Sequence, residues 1–266
     1  MGKEAICFYS ATGNGYSIAK ELNKYISADM FYIPSIIGMD LSEYEKIIIV
    51  SPVYMFALPN IMKTFIKNLT NYKVSPKIYV VFNSAGIFAD VAYYTQRMFN
   101  EKNIKISAVY KICMPLTYTW FLGEMQAVAD SLLRTYPQKV KKIAEKIIAN
   151  EEKPIKRSKV RFLTKIHENL YKTWGVFAKS FYTVESNCNQ CGYCEKICPA
   201  GNIRIVDGKI EFGDQCISCL ACYHRCPEKA INVGTRTTKR KRYVNPCVNV
   251  DEMYKCCSVN DIEKEI

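Results

Sequence analysis

The sequence predicts an α/β fold, a doubly wound parallel sheet, followed by a small α+β domain organised around cysteine. Three observations carry this expectation. Through the first 150 residues, apolar runs suited to buried strands alternate with stretches of helical period. A polar loop bearing glycine, SATGNG (10–15), stands between the first such strand and the first such helix. The pattern C-x2-C-x2-C-x3-C-P occurs twice, at 188–199 (CNQCGYCEKICP) and at 216–227 (CISCLACYHRCP).

The elements follow in order. EAICFYS (4–10) is apolar enough for a buried parallel strand, and YSIAKELNKYIS (16–27) carries Ile18, Leu22, Tyr25 and Ile26 at helical spacing. A loop between the two would aim its amides, and the positive end of the helix, at an anion. It is neither a Walker loop nor GxGxxG. KIIIVSPVYMFALP (46–59) is a second strand running into a loop, with IMKTFIKNL (61–69) as its helix. PKIYVVFNSAG (76–86) opens a third loop ahead of FADVAYYTQRMFNEK, and IKISAVYKICMP (104–115) is the fourth strand. QKVKKIAEKIIA (138–149) reads as an amphipathic helix closing the sheet, with Pro137 at its first turn. In such a sheet a ligand lies outside the carboxyl ends of the strands, where strand order reverses.

SATGNG resembles the flavodoxin phosphate loop, through Ser10, Thr12, Gly13 and Asn14. Gly15 departs from the Thr or Ser usual there, and Ser17 is a candidate to replace the missing hydroxyl. The resemblance implies FMN held by Ser10, Ala11, Thr12, Gly13, Asn14 and Gly15. It also implies ring-flanking loops at Pro52, Val53, Tyr54, Met55 and Phe56 and at Asn83, Ser84, Ala85 and Gly86. Tyr54 or Phe56 would stack on one ring face and Phe88 or Tyr118 on the other; core packing is the alternative for each.

The paired cysteine runs resemble the bacterial-type two-[4Fe–4S] ferredoxins, in which the fourth cysteine of each run crosses to the other cluster. That resemblance implies one cluster on Cys188, Cys191, Cys194 and Cys226. The second would rest on Cys216, Cys219, Cys222 and Cys198. Gly192 and Ala221 are small, which suits amides packed against sulfide. A pair of zinc sites is the alternative, although zinc normally takes two separated C-x2-C knuckles. IRIVDGKIEF (203–212) reads as a hairpin turning at Asp207-Gly208, mirrored by EKAINV (228–233) after the second run. With the flavodoxin-like half, and with CMPLTY (113–118), the whole chain resembles the EFR1 family, a flavodoxin-like region fused to a region binding two [4Fe–4S] clusters. The expected units are a flavodoxin-like domain over 1–150, a helical connector over 151–185, a ferredoxin domain over 186–235 and a basic, cysteine-containing tail over 236–266. In the connector, 158–182 has apolar residues at helical spacing (Phe162, Ile166, Leu170, Trp174, Phe177), which predicts a helix packed between the halves; His167 on it reads as a surface or capping residue.

Thirteen cysteines with no secretory leader at the N-terminus lead us to expect a cytoplasmic protein whose thiols hold metal rather than form disulfides. No apolar stretch is long enough to predict a membrane span. The formal charge is +12. Two clusters and a flavin phosphate would reduce it to about +6. Basic runs at 153–161 and 236–242 read either as solvated faces or as docking surfaces for an acidic electron carrier. No motif for nucleic acid accompanies them. Cys247, Cys256 and Cys257 in the tail, with Cys7 and Cys113 in strands, read as free thiols, or as a redox pair or a metal shared with a partner. No nicotinamide fingerprint, paired carboxylates or Ser-His-Asp set points to substrate chemistry. The expected function is electron transfer between a redox partner, two clusters and FMN. A ferredoxin-dependent FMN reductase of a small organic substrate, or a ferredoxin with a flavin-free docking domain, are the alternatives.

Overall fold

The computed structural model describes residues 2–69, 75–118, 126–166, 178–235 and 237–256. Five parallel strands form one sheet: β1 (Lys3–Phe8), β2 (Asp29–Tyr32), β3 (Tyr44–Pro52), β4 (Lys77–Ser84) and β5 (Ile106–Cys113), in the order β2-β1-β3-β4-β5. This is the doubly wound order, with its switch point between β1 and β3. The central strands are buried along nearly their whole length because helices cover both faces. Four strands were legible as apolar runs. The fifth, β2, is a four-residue edge strand whose first residue is exposed, too short to show a period.

Helices α1 (Asn14–Ile26), α2 (Asn60–Lys67), α3 (Val91–Asn100) and α4 (Gln126–Ile148) connect or flank the strands. The expected start of α4 at Pro137 is corrected: the helix begins at Gln126 and carries Pro137 inside it. Tyr136, Val140, Ile143, Ala144 and Ile147 form its buried face, so amphipathic packing outweighs the helix-breaking tendency of one proline.

The connector is anchored rather than floppy. Lys153 N–H donates to the Ser107 carbonyl of β5 at 2.8 Å. Asp90, 1% exposed, accepts from the Ser158 amide at 2.7 Å and from Arg157 Nη2 at 3.1 Å. Thr164 Oγ1 donates to the Phe56 carbonyl at 2.9 Å and accepts from the Asp90 amide at 3.0 Å. Thr164 is therefore the inward residue here, whereas Phe162 and Ile166, expected to pack inward, are more than half exposed. Residues 167–177, including His167, Leu170, Trp174 and Phe177, lie outside the described residues.

The cysteine-rich region holds two antiparallel pairs. Strands β6 (Tyr182–Val184) and β9 (Ile231–Val233) pair with each other, and β7 (Ile203–Val206) and β8 (Lys209–Phe212) form the expected hairpin. Asp207 and Gly208 turn it with φ of +47° and +73°, as a two-residue hairpin turn of the primed kind requires. Each cysteine run supports a short helix, α5 (Tyr193–Lys196) and α6 (Ala221–Arg225).

Replacing Asp90 with alanine should release the connector. Trypsin cleavage within 153–161 should accelerate several-fold, with stability lowered by about 1–3 kcal/mol, the lower end reflecting the half-exposed Arg157. Limited proteolysis and chemical unfolding check both.

Candidate functional site

The two cysteine runs repeat in backbone as well as in sequence. Gln190 and Ser218, Gly192 and Leu220, and Gly201 and Lys229 occupy equivalent positions, and all six have positive φ. The counterpart of Gly192 in the second run is Leu220. Left-handed residues at these steps turn successive amides inward, a geometry suited to negative charge on sulfur.

The runs enclose two cavities. Cys188, Cys191 and Cys194 line one together with Cys226. Cys216, Cys219 and Cys222 line the other together with Cys198. The fourth cysteine of each run therefore lies with the other run's triplet. The Asn202 amide donates to Cys198 Sγ at 3.2 Å and the Ser218 amide to Cys216 Sγ at 3.4 Å. Cys216 Sγ lies 3.6 Å from the Tyr182 hydroxyl, whose ring stacks on Phe212. Burial pushes the Cys219 thiol up to about 12 and raises Cys194, Cys198 and Cys222 as well. Such thiols stay protonated until a cation repays their desolvation, so metal loading here releases protons. Among the described residues no three His, Cys, Asp or Glu side chains converge on a single-ion site. Four cysteines line each cavity, an arrangement suited to a multi-atom cluster.

The second cavity abuts the carboxyl edge of the sheet. Ile217, Cys219 and Ala221 belong to the same core as Tyr9, Tyr32 and Tyr54. The Tyr9 hydroxyl is fully buried and lies beside Cys219. Tyr118, named with Phe88 as a candidate for the second flavin face, donates its hydroxyl to the Ser218 carbonyl at 2.5 Å. His224 bridges both halves. Burial holds its imidazole down at about 4, so the neutral ring donates Nε2–H to the Thr117 carbonyl (2.7 Å) and accepts the Tyr243 amide at Nδ1 (3.1 Å).

The three loops expected to hold FMN do come together at that edge, but they are not equally open. Ser10, Ala11, Thr12, Gly13, Asn14 and Gly15 are all buried. Ser10 Oγ accepts the amides of Gly13 (3.0 Å) and Gly15 (3.1 Å), donors that an anion would otherwise take. A Cβ at Gly15 would stand 2.4 Å from the Tyr9 carbonyl oxygen, which explains why Thr or Ser is absent there. Ser17 does not replace the hydroxyl: it donates to the Asn14 carbonyl and accepts from Asn245. In the second loop Pro52 and Tyr54 are buried, Val53 N–H reaches the Asn83 carbonyl, Met55 is exposed and Phe56 half-buried, with φ of +45° and +72°. Tyr54 packs against the Tyr9 and Tyr118 rings. In the third loop Ala85 and Gly86 are exposed, Ser84 Oγ donates to the Ile87 carbonyl, Phe88 is buried, and the buried Asn83 Nδ2 lacks a partner. On the phosphate side later residues of the chain cover the loop, so FMN fits there only with that cover displaced, whereas the ring side retains an unused donor.

The basic run 236–242 is partly structural. Arg242 donates to the carbonyls of Tyr223, Lys229 and Ile231. Cys7 is buried in β1, Cys113 ends β5, Cys247 is exposed, and Cys256 is half-buried near the Glu252 carbonyl; Cys257 lies outside the described residues. Tyr9, His224, Arg225, Tyr243 and Asn245 were not singled out from sequence, since no short-range spacing links residues so far apart.

The parallel sheet thus carries one cysteine-lined cavity against its carboxyl edge and a second beyond it. A family model described as a flavodoxin domain matches residues 5–173, more than half the chain, and the chain belongs to that family. The match runs past the boundary expected at 150. A 4Fe-4S dicluster domain matches residues 187–231. A curated relative, a subunit of an ion-translocating oxidoreductase complex of Methanosarcina acetivorans, is 44% identical over 50 residues, 18% of this chain and 19% of the relative. The chain therefore matches about a fifth of that relative's length. Among solved structures, a flavoprotein in complex with FMN from Lactobacillus acidophilus is 21% identical, covering 42% of this chain and 93% of that one at a TM-score of 0.33. A two-electron reduced flavodoxin from Megasphaera elsdenii is 14% identical, covering 41% and 84% at a TM-score of 0.37. Likeness at this level supports no statement about activity. Among the described residues no helix is long and apolar enough to cross a membrane.

Replacing His224 with alanine leaves the Thr117 carbonyl and the Tyr243 amide unpaired and should lower stability by about 2–3 kcal/mol. His224→Gln should recover part of the loss. Thermal unfolding of the iron-loaded protein measures both.

Proposed function

We propose that this chain is an electron-transfer iron–sulfur flavoprotein of the EFR1 kind, carrying low-potential electrons between a redox protein partner and two [4Fe–4S] clusters, with FMN as its flavin. The observation that carries this reading is the pair of cavities, each lined by the three closely spaced cysteines of one run and the last cysteine of the other. Cys188, Cys191, Cys194 and Cys226 would hold one cluster. Cys216, Cys219, Cys222 and Cys198 would hold the second. The amides of Asn202 and Ser218 stabilise negative charge on their sulfurs, which favours the reduced state. The Tyr9 hydroxyl does the same at Cys219. The aromatic layer of Tyr9, Tyr32 and Tyr54 excludes water between the second cavity and the sheet edge.

Bound FMN would supply a centre that exchanges one or two electrons, where each cluster exchanges one. The chain's contribution there would be Asn83 Nδ2 as a donor on the ring side and the 10–15 loop on the phosphate side. The partner would be acidic, meeting the exposed Lys156, Lys159, Arg161 and Lys165 beside the second and third loops. The relative's place in an ion-translocating oxidoreductase complex supports a protein partner in place of a small substrate. A second reading, a ferredoxin with a flavin-free docking domain, is favoured by the closed phosphate loop.

Protein purified without oxygen should contain about eight irons per chain and should take up about one FMN. Eight irons with no flavin uptake would leave the second reading. Cys198→Ser should damage the cluster on Cys216, Cys219 and Cys222 and spare the other, read by iron content and by the spectrum of each reduced cluster. Damage confined to the first cluster would refute the crossed ligation. Tyr9→Phe should lower the midpoint potential of the second cluster in a redox titration while iron content stays unchanged.

A further inference from the structure

The residues that fill the phosphate loop come from the far end of the chain. Asn245 N–H donates to the Thr12 carbonyl at 2.8 Å. Its side-chain amide donates to Asn14 Oδ1 at 3.0 Å and to Ser17 Oγ at 3.1 Å. The Tyr243 hydroxyl donates to the same Asn14 oxygen at 2.6 Å. Asn14 Nδ2 is taken by the Pro115 carbonyl, so every polar atom of the Asn14 side chain is used inside the protein. Gly13, at φ +98°, is packed so closely that an added Cβ would lie 2.8 Å from Val250 Cγ1 and 2.9 Å from Asn245 Cβ. Asn245 is 1% exposed and Tyr243 5%.

An anion cradle normally turns its donors toward solvent or ligand; here the Gly13 and Gly15 amides turn to Ser10, and the later segment packs over the loop through its acceptors, the Thr12 carbonyl, Asn14 Oδ1 and Ser17 Oγ. The covering segment is also held at both ends. Upstream, the Tyr243 amide is bound by His224. Downstream, the buried Arg225 grips Asp251 Oδ1 (2.7 Å) and the Tyr254 hydroxyl (2.6 Å), while the Tyr254 ring meets Tyr32 edge-on at 5.2 Å. Both anchors, His224 and Arg225, lie in α6, between Cys222 and Cys226.

We propose that residues 243–250 are a strap that closes the phosphate loop, and that a phosphate-bearing flavin gains the loop only when this strap lifts. The inference rests on the FMN reading above and adds how the site is controlled. Asn245 and Val250 pack against Gly13, in the loop where the resemblance places an anion. Flavin and strap then compete, and the apparent affinity for FMN is the intrinsic affinity reduced by the fraction of molecules with the strap open. Because α6 carries the anchors, the strap is fastened to the cysteine-rich half, and its release is tied to the integrity of the second run.

The test uses the full iron-loaded chain. Asn245→Ala combined with Tyr243→Phe removes three side-chain bonds to Asn14 and Ser17 and alters no loop residue. FMN affinity is read by flavin fluorescence quenching, with riboflavin, which lacks the phosphate, as the comparison. Hydrogen exchange of the amides at 11–15 is read in parallel, and iron content reports integrity. The strap predicts faster exchange in the loop and FMN bound roughly tenfold more tightly, with riboflavin unchanged. Should the double variant lose iron, Asp251→Asn, at an exposed anchor away from the loop, should give the same changes in smaller measure. Unchanged loop exchange, or equal FMN affinity in parent and variant, overturns the strap. Faster exchange with no FMN binding in either protein keeps the closure and overturns the flavin reading on which its purpose rests.

Discussion

Parallel pairing sends the carboxyl ends of β1, β3, β4 and β5 to a single edge of the sheet, and the site is built along that edge. A parallel strand cannot return by a tight hairpin, so each strand must end in a loop at this edge before its crossover helix. Three loops therefore converge where the strand order reverses. In a free-standing domain of this kind such an edge is the ligand face. Here the chain's own cysteine-rich half and its tail are seated on much of it. Tyr118, His224 and the 217–221 segment bind the two halves along one seam.

That seam has a consequence for charge movement. The second cavity lies directly against the aromatic layer over the sheet, while the first lies beyond it, among Gln190, Gly192 and Ile210. A partner's electron would meet the two centres in unequal settings. The second is drier and is flanked by two phenols, Tyr9 and Tyr182. Burial and hydrogen bonding act in opposite directions on a cluster's potential, since desolvation disfavours added negative charge and donors to sulfur favour it. The pseudo-symmetric runs thus sit in asymmetric surroundings, and the asymmetry comes from the flavodoxin-family half.

The tail changes what the phosphate loop means. Ser10, Thr12, Gly13 and Asn14 carry the chemistry of an anion cradle, and Gly15 is where the pattern fails. The failure has a steric cause, since the turn brings the Tyr9 carbonyl too close for any side chain at 15. A tightened loop whose amides fold back on Ser10 needs an external partner less than an open one does. Asn245 and Tyr243 then donate to the Thr12 carbonyl, Asn14 Oδ1 and Ser17 Oγ.

Much of this protein was determined by local sequence. Apolar runs specified four strands because strands buried on both faces need continuous apolar residues. The hairpin at Asp207-Gly208 was legible because its turn needs positive φ at both positions. The cysteine spacing specified which sulfurs share a short loop. Other features were decided only by tertiary structure. The edge strand β2 forms because β1 offers it a partner, and α4 extends through Pro137 because its apolar face is held against α1. The burial of Thr164 in place of Phe162 and Ile166 follows from hydrogen bonds to loops 74 and 108 residues earlier. The strap is the clearest case. Asn245 and Asn14 are 231 residues apart, and nothing in the composition of either segment encodes the other. Local pattern reports the period of an element and the chemistry of a loop; what covers that loop depends on how complete elements pack, and packing is a property of the folded chain.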